Sequence, residues 1–520
     1  MSLPDLPFLQ TLPARAAFRA VRRAFVWRAL PLALLACLVL GNAAALAQQA
    51  ATPAASKAAL VKGPATAPPT TPTTPTTPTT PATTPPTTRA ASAPVAGVPA
   101  VMQRRGYVVP IGGALKYDNA EVWARLVQLS GGAGARWVVV PLAAANPETT
   151  GARIAEALSA QGALAELLPV SPRWAGRDVA EAVQDAALAA TVRRARGVFF
   201  AGGAQARITD ALLQADGGRT PLLEAIWSVV ESGGVIAGTS AGAAVMSETM
   251  FRDAANVLGV LKAGRAEEGR EIDRGLGFVG PELFIDQHFL KRGRIGRMLP
   301  LMLQKGYRLG LGVEENSAAI LHGNQVEVIG GKGVLLVDLA NATHDDGLGA
   351  FNLKNARLTY LDRGDRHDFA TGTTTPSPQK LAGMSIDPNA PDFKPYFRRM
   401  PFVPDILGDA ALVSAMGNLI DNHENEAFGL AFAGIPPQDD PQPDLGFEFR
   451  LRRLPESRGW YTGAFGGEDY TVLNLALDVT PVTMTRPLYR PLERPAAAKV
   501  APALPPPAGP VREQQQRPAN

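Results

Sequence analysis

From Tyr107 onward the chain sets short apolar runs against longer stretches in which apolar residues recur at helical spacing. Tyr107 to Ile111, Trp137 to Pro141, Leu164 to Val170, Gly197 to Phe200 and Gly234 to Ala237 are runs of strand type. Such runs suit strands buried on both faces. Asn119 to Leu129, Thr150 to Gln161, Asp178 to Ala195 and Ile208 to Glu231 lie between them and read as helices. Alternating strands and helices predict an α/β fold, a mostly parallel sheet flanked by helices on both faces, with ligands beyond the carboxyl ends of the strands.

The pattern changes at both ends. Residues 346–494 form a C-terminal extension in which no motif is assignable. Val472 to Val479 reads as a strand there, and Asp362 to Pro404 is rich in Gly, Asp and Pro. The extension is compatible with packing on the folded unit at 101–345, with a dimer contact or with holding substrate. Residues 495–520 are rich in Pro, Ala and Gln and read as a disordered tail. At the other end, residues 48–100 are mostly Ala, Thr and Pro, a stiffened linker that favours extended polyproline geometry.

Residues 1–47 read as a secretory signal peptide. Arg15, Arg19, Arg22, Arg23 and Arg28 precede an apolar run from Ala29 to Leu40, and Ala45-Leu46-Ala47 supplies an A-x-A cleavage site. The expected location is therefore periplasmic or extracellular, with no stable membrane insertion after cleavage. Arg22-Arg23 also fits a twin-arginine signal, and Cys37 after Leu34-Leu35-Ala36 resembles a lipoprotein box. Cleavage after Ala47 would remove Cys37, the single cysteine, and with it any disulfide, thiolate metal site or cysteine nucleophile. It would also remove the excess of 51 basic over 47 acidic residues. A neutral mature chain gives no electrostatic case for nucleic acid as a partner.

The chemistry centres on Gly238-Thr239-Ser240-Ala241-Gly242-Ala243, where a strand meets a sharp turn and a helix-like segment that ends near Met250. Glycines at 238 and 242 let the backbone double back beneath Ser240, so the turn reads as a nucleophile elbow. The Ala241 amide is then one oxyanion donor. Gly203, in Gly202-Gly203-Ala204-Gln205 after Val198-Phe199-Phe200, is a candidate for the second, although a plain strand-to-helix turn fits that segment equally well.

A serine hydroxyl needs a base, and the base needs a carboxylate to orient it. Of the five histidines, His322, His344, His367 and His423 lie in stretches that read as turns; His288 falls at a strand end, in Asp286-Gln287-His288-Phe289. Downstream, Leu309-Gly310-Leu311-Gly312-Val313 leads into Glu314 and Glu315, adjacent on a strand, so one can face the site while the other meets solvent. The order Ser, His, Glu differs from the Ser, acid, His of α/β-hydrolases. Arg292, Arg294 and Arg297 follow the histidine, and guanidiniums beside a nucleophile suit a carboxylate-bearing substrate; a solvated basic helix face is the plain alternative. This chemistry requires no metal and no cofactor.

Taken together, G-T-S-A-G-A at 238–243, G-G-A-Q-A-R-I at 202–208, D-Q-H-F-L-K-R-G-R-I-G-R at 286–297 and G-V-E-E-N-S-A at 312–318 resemble the cyanophycinase family of serine exopeptidases, over about residues 105–345. The resemblance implies a class I glutamine-amidotransferase-like sandwich. It implies Ser240 as nucleophile, His288 as general base and Glu315 as its orienter. Gln205, Arg292, Arg294 and Arg297 would match substrate-binding positions, with Asp286 and Gln287 flanking the base. The activity implied is hydrolysis of cyanophycin, a poly-aspartate with arginine on its β-carboxyls, to β-Asp-Arg dipeptides. Ala204 and the loop Ile111 to Lys116, which lacks an acid, depart from the family pattern at the rim of the site and bear on the substrate. An aspartyl dipeptidase of the same fold and a non-catalytic binding protein for acidic peptides are the other readings. A homodimer is compatible with the sequence.

Overall fold

The computed structural model describes residues 105–253, 256–399, 402–467 and 469–492. The expected leader at 1–47, linker at 48–100 and tail at 495–520 lie outside them. All described residues fall in one compact unit, Ser92–Asn520.

The five apolar runs become β1 (Tyr107–Ile111), β2 (Arg136–Val140), β3 (Leu164–Leu167), β4 (Gly197–Phe200) and β5 (Val235–Thr239). They pair in parallel in the order β1-β5-β4-β2-β3. Alternate residues feed two cores, as strands covered on both faces must. Val109, Ile111, Val139, Phe199 and Ala237 meet the helices Ala120–Leu129 and Pro147–Ala160. Val108, Val138, Phe200 and Ile236 meet Ala186–Arg193 and Pro221–Glu231 on the other side.

Two helices expected as single pieces are each broken. Val179–Ala182 and Ala186–Arg193 are separated because Asp185 accepts from Ala187 N and Leu188 N and starts the second afresh. Ala206–Leu212 and Pro221–Glu231 are separated by a turn at Gly217-Gly218, and Thr220 caps the second with Pro221 in its first turn. The segment after Ser240 is shorter than expected: the helix covers only Ala241–Ala244, and Thr249–Phe251 is a strand, β6, paired with β7 (Ile272–Arg274).

Beyond this point the architecture becomes mixed. β8 (Leu283–Gln287) and β9 (Leu309–Val313) begin a second sheet; β10 (Ser317–His322) and β11 (Gln325–Gly330) return to the first, with β10 antiparallel to β1. β12 (Val334–Asp338) and β13 (Leu353–Leu361) rejoin the second sheet, and β14 (Arg366–Asp368) and β15 (Thr373–Thr375) extend the first. The remaining strands are β16 (Met384–Ile386), β17 (Phe402–Val403), β18 (Glu426–Ala431), β19 (Leu445–Arg452), β20 (Arg458–Thr462) and β21 (Asp469–Thr483). The second sheet runs β17-β18-β19-β21-β13-β12-β9-β8, with β20 on β21 and β16 on β20. The segment after residue 345 thus completes both sheets.

Only Glu314, Glu315 and Asn316 separate β9 in one sheet from β10 in the other. Val334 and Leu336 of the second sheet share a core with Ala319, Leu321 and Val328 of the first. The other face of the second sheet packs on Met298, Leu299 and Met302 of the helix Ile295–Lys305 and on Leu412, Met416 and Leu419 of Ala411–Ile420.

Candidate active site

Ser240 follows β5 in a conformation few side chains adopt, φ 54° and ψ −111°. Such strain costs about 1–3 kcal/mol and persists only where neighbours enforce it. They do so here. A Cβ on Gly238 would lie 2.5 Å from Gly242 O, and one on Gly242 would lie 2.5 Å from Phe200 O, so only glycine lets the chain reverse under the serine. Ser240 N donates to Ile111 O at 3.0 Å, tying the turn to the end of β1.

His288 follows β8 with φ 46°, and its N–H donates to Gly112 O at 2.6 Å. Its Nε2 lies 2.9 Å from Ser240 Oγ and its Nδ1 2.6 Å from Glu315 Oε1. The three residues form one continuous hydrogen-bonded relay. Burial of the imidazole pushes its pKa below the ordinary histidine value, and Arg292 and Arg294 add to the effect, while Glu315 opposes it. The ring is thereby favoured in its neutral form, ready to accept a proton.

Glu314 departs from the expectation that the second glutamate meets solvent. It is fully buried, and its Oε2 accepts from Leu290 N at 2.6 Å and Lys291 N at 3.0 Å, the amides just after His288. The alternation argument fails because β9 ends at Val313 and the glutamates lie in the crossover between sheets. Asn316, left-handed at φ 57°, holds the same crossover. Its side-chain oxygen accepts from Lys116 N and Asn119 Nδ2, both at 3.0 Å, fastening the loop after β1. Gly113 in that loop has φ 103°, and a Cβ there would meet His288 Cε1 and Nε2 at 2.3 Å. The Gly112-Gly113 pair was visible in the sequence; that it faces the imidazole was not.

The arginines divide. Arg294 Nη1 donates to Asp286 Oδ1 at 3.1 Å and Gln287 O at 2.6 Å; Arg297 Nε and Nη2 grip the Asp286 carboxylate at 2.7 and 2.6 Å, and its guanidinium stacks 4.1 Å from the Phe251 ring. All three charged side chains are buried. Burial raises the Asp286 pKa, but Arg297 and Arg294 outweigh it and hold the carboxyl below its usual range; burial in turn pushes Arg294 down to about 10. Asp286, Arg294 and Arg297 are therefore occupied with one another, a correction to the reading of Arg294 and Arg297 as groups presented to substrate. Spacing along a helix could not reveal that Asp286 lay between the two guanidiniums. Arg292 alone of the three is exposed, and it makes no ion pair among the described residues. Gln287 is buried, with Oε1 unpartnered among the described residues. Gln205 is half-buried, its Nε2 donating to Phe251 O at 2.7 Å.

Gly203, at φ 143°, crosses so close to Ala143 that a Cβ would sit 2.0 Å from its carbonyl oxygen. The amides of Gly203 and Ala241 donate to no group among the described residues, which leaves both for an oxyanion. A cleft of about 290 Å³ opens between them and the imidazole, bounded by Leu115, Tyr117, Trp123, Ile154 and Phe199 with Thr239 beside the serine. Of the other histidines, His367 is buried in β14 instead of in a turn, bonded to Thr374.

Residues 111–329 match the model of Peptidase family S51. The match ends within β11, so the strands from β12 onward lie outside it. A cyanophycinase of Geminocystis herdmanii (strain PCC 6308) is 32% identical over 280 residues, 51% of this chain and 95% of its own length. A cyanophycinase of Trichormus variabilis (strain ATCC 29413 / PCC 7937) is 30% identical over 286 residues, 53% of this chain and 89% of its own. The crystal structure of a peptidase from an acI-B1 Actinobacterium is 19% identical, covering 46% of this chain and 91% of that one with a TM-score of 0.35. With the Geminocystis protein matched over nearly its whole length at 32% identity, the chain belongs to peptidase family S51 and is a serine-type peptidase.

Proposed function

We propose that this chain hydrolyses cyanophycin to β-Asp-Arg dipeptides through an acyl-enzyme on Ser240. The carrying observation is the relay from Ser240 Oγ through His288 to Glu315, in which burial favours the neutral imidazole. Ser240 Oγ attacks the backbone carbonyl of an aspartyl residue as His288 Nε2 takes its proton. The oxygen of the tetrahedral intermediate becomes negative, and the Gly203 and Ala241 amides receive it. His288 then passes the proton to the departing amine as the peptide bond breaks and the ester remains. Water, deprotonated by His288, attacks the ester, and the proton returns to Ser240. Glu315 holds the ring in the required tautomer and stabilises its charged form. Arg292 supplies an exposed positive charge for the carboxylates of the polymer. The leader supports action outside the cytoplasm, which fractionation of the host cell with and without residues 1–47 would test.

The decisive experiment incubates the chain lacking its leader with purified cyanophycin, beside Ser240→Ala, and follows β-Asp-Arg by mass spectrometry. Release by the parent alone is expected. Turnover of aspartyl dipeptides in place of the polymer would make it a dipeptidase. If neither is cleaved and a serine-directed acylating probe leaves Ser240 unlabelled, the chain binds acidic peptides without cutting them.

A further inference from the structure

We propose that the loop Ile406 to Ala410, in the C-terminal extension, is a positioning element of the active site, holding the turn after His288 so that Arg292 stays beside the imidazole. Its effect on the reaction rests on the roles proposed for His288 and Arg292. The loop lies outside the segment 111–329 that matches the family model. Leu290, in the turn, is held at both its main-chain groups. From the crossover between sheets, Glu314 Oε2 accepts from Leu290 N and Lys291 N. From the extension, Ala410 N donates to Leu290 O at 3.3 Å, and Leu407 O passes so near Gly293 that a Cβ there would lie 2.1 Å from it. Arg292 therefore sits between two fixed neighbours. The bridge from Lys291 Nζ to Asp409 Oδ2, at 2.5 Å, is about half exposed at both ends and adds little.

The loop can hold the turn because it is itself fixed. Ile406 N donates to Leu430 O of β18 at 2.9 Å. Ala410 takes φ 56° and ψ 8°, a left-handed conformation that costs a non-glycine residue about 1–3 kcal/mol and is kept only where neighbours enforce it. Where Leu290 and Ile295 meet Ile406 and Leu412 the gap is about 10 Å³, no room for a side chain, so a displaced loop carries the turn with it. Three charges act on His288: Arg292 and Arg294 lower its pKa and Glu315 raises it. Arg294 is locked onto Asp286 and Gln287 O, and Glu315 onto the ring itself. Arg292 is the one of the three whose place depends on the turn alone.

The test follows acylation of Ser240 by a small serine-directed probe against pH in the whole chain, a readout that needs a neutral His288 and no polymer. Ala410→Val disfavours the left-handed turn without changing charge, and two glycines inserted after Gly408 slacken the loop without strain. Ala410→Gly keeps both the conformation and the N–H. The first two should move the midpoint to higher pH and slow labelling at about pH 5.5 by roughly threefold, the effect of a unit charge drawn a few ångströms away. Ala410→Gly should label as the parent does, and in an Arg292→Gln background neither change should move the midpoint again. An unmoved midpoint in the chain with the insertion, a further shift without Arg292, or Ala410→Gly behaving like Ala410→Val would each overturn the proposal. Thermal melting verifies folding, and if Ala410→Val does not fold the insertion decides alone. A chain that shows these shifts yet leaves cyanophycin intact would refute the polymer as substrate and uphold the role of the loop.

Discussion

Replacing Gly113 by alanine would drive a methyl group into the imidazole of His288 at a backbone angle that resists side chains. The ring would have to leave its place between Ser240 and Glu315. A displacement of about 1 Å is enough to cost 10²-fold in rate, so Gly113→Ala should lose about that much kcat with KM nearly unchanged, as steady-state kinetics would show. Charge at the same ring gives a second expectation. A histidine whose pKa is lowered in the folded chain stays neutral down to a lower pH, so the acid limb of kcat/KM should have its midpoint below about 6.5. The corresponding stability is present above the unfolded value and is lost as pH falls through the folded one. Arg292→Gln removes a cation that lowers this pKa, so the limb should move to higher pH. An unmoved limb would show that Arg292 does not act on the ring. Ser240, His288 and Glu315 were legible because each sits in a short motif at an element end. Glu314 and Asp286 were not, since nothing in the spacing of acids and bases says which will be buried together.

Elements explain where the reading along the chain held and where it broke. The parallel strands were visible because apolar runs of strand length are unambiguous when helices separate them. β10 to β15 were not, because no helices separate the runs there, consecutive strands pass back and forth between two sheets, and strands such as β10 and β12 are buried on both faces without a period-two pattern. The crossover from β9 to β10 is the element most exposed to single substitutions. Asn316→Ala would remove the acceptor of the Lys116 and Asn119 donors and place alanine at φ 57°. Losing a partly buried hydrogen bond and the left-handed allowance together should cost about 1–3 kcal/mol, measured as a lower urea midpoint at constant m-value.

For the whole molecule, the extension after residue 345 is part of the fold. β13 and β21 lie in the middle of the second sheet, between β12 and β19. A chain stopped at residue 345 would leave β12 as an unpaired apolar edge and uncover Leu335 and Val337, which pack in the second-sheet core. It should be recovered as aggregate, without the cooperative thermal transition of the full chain. Sequence left its role open because the strands carry no chemistry, and only their pairing reveals what they support.

The relay is assembled from both sheets: Ser240 hangs from β5 of the first, His288 from β8 of the second, and Glu315 from the three-residue seam between β9 and β10. Its bond lengths therefore act as a vernier on the alignment of two large layers, where slippage too slight to alter secondary structure already separates oxygen from nitrogen. Titrated with urea, the protein should fall silent as a hydrolase while its far-ultraviolet circular dichroism is still that of the native state.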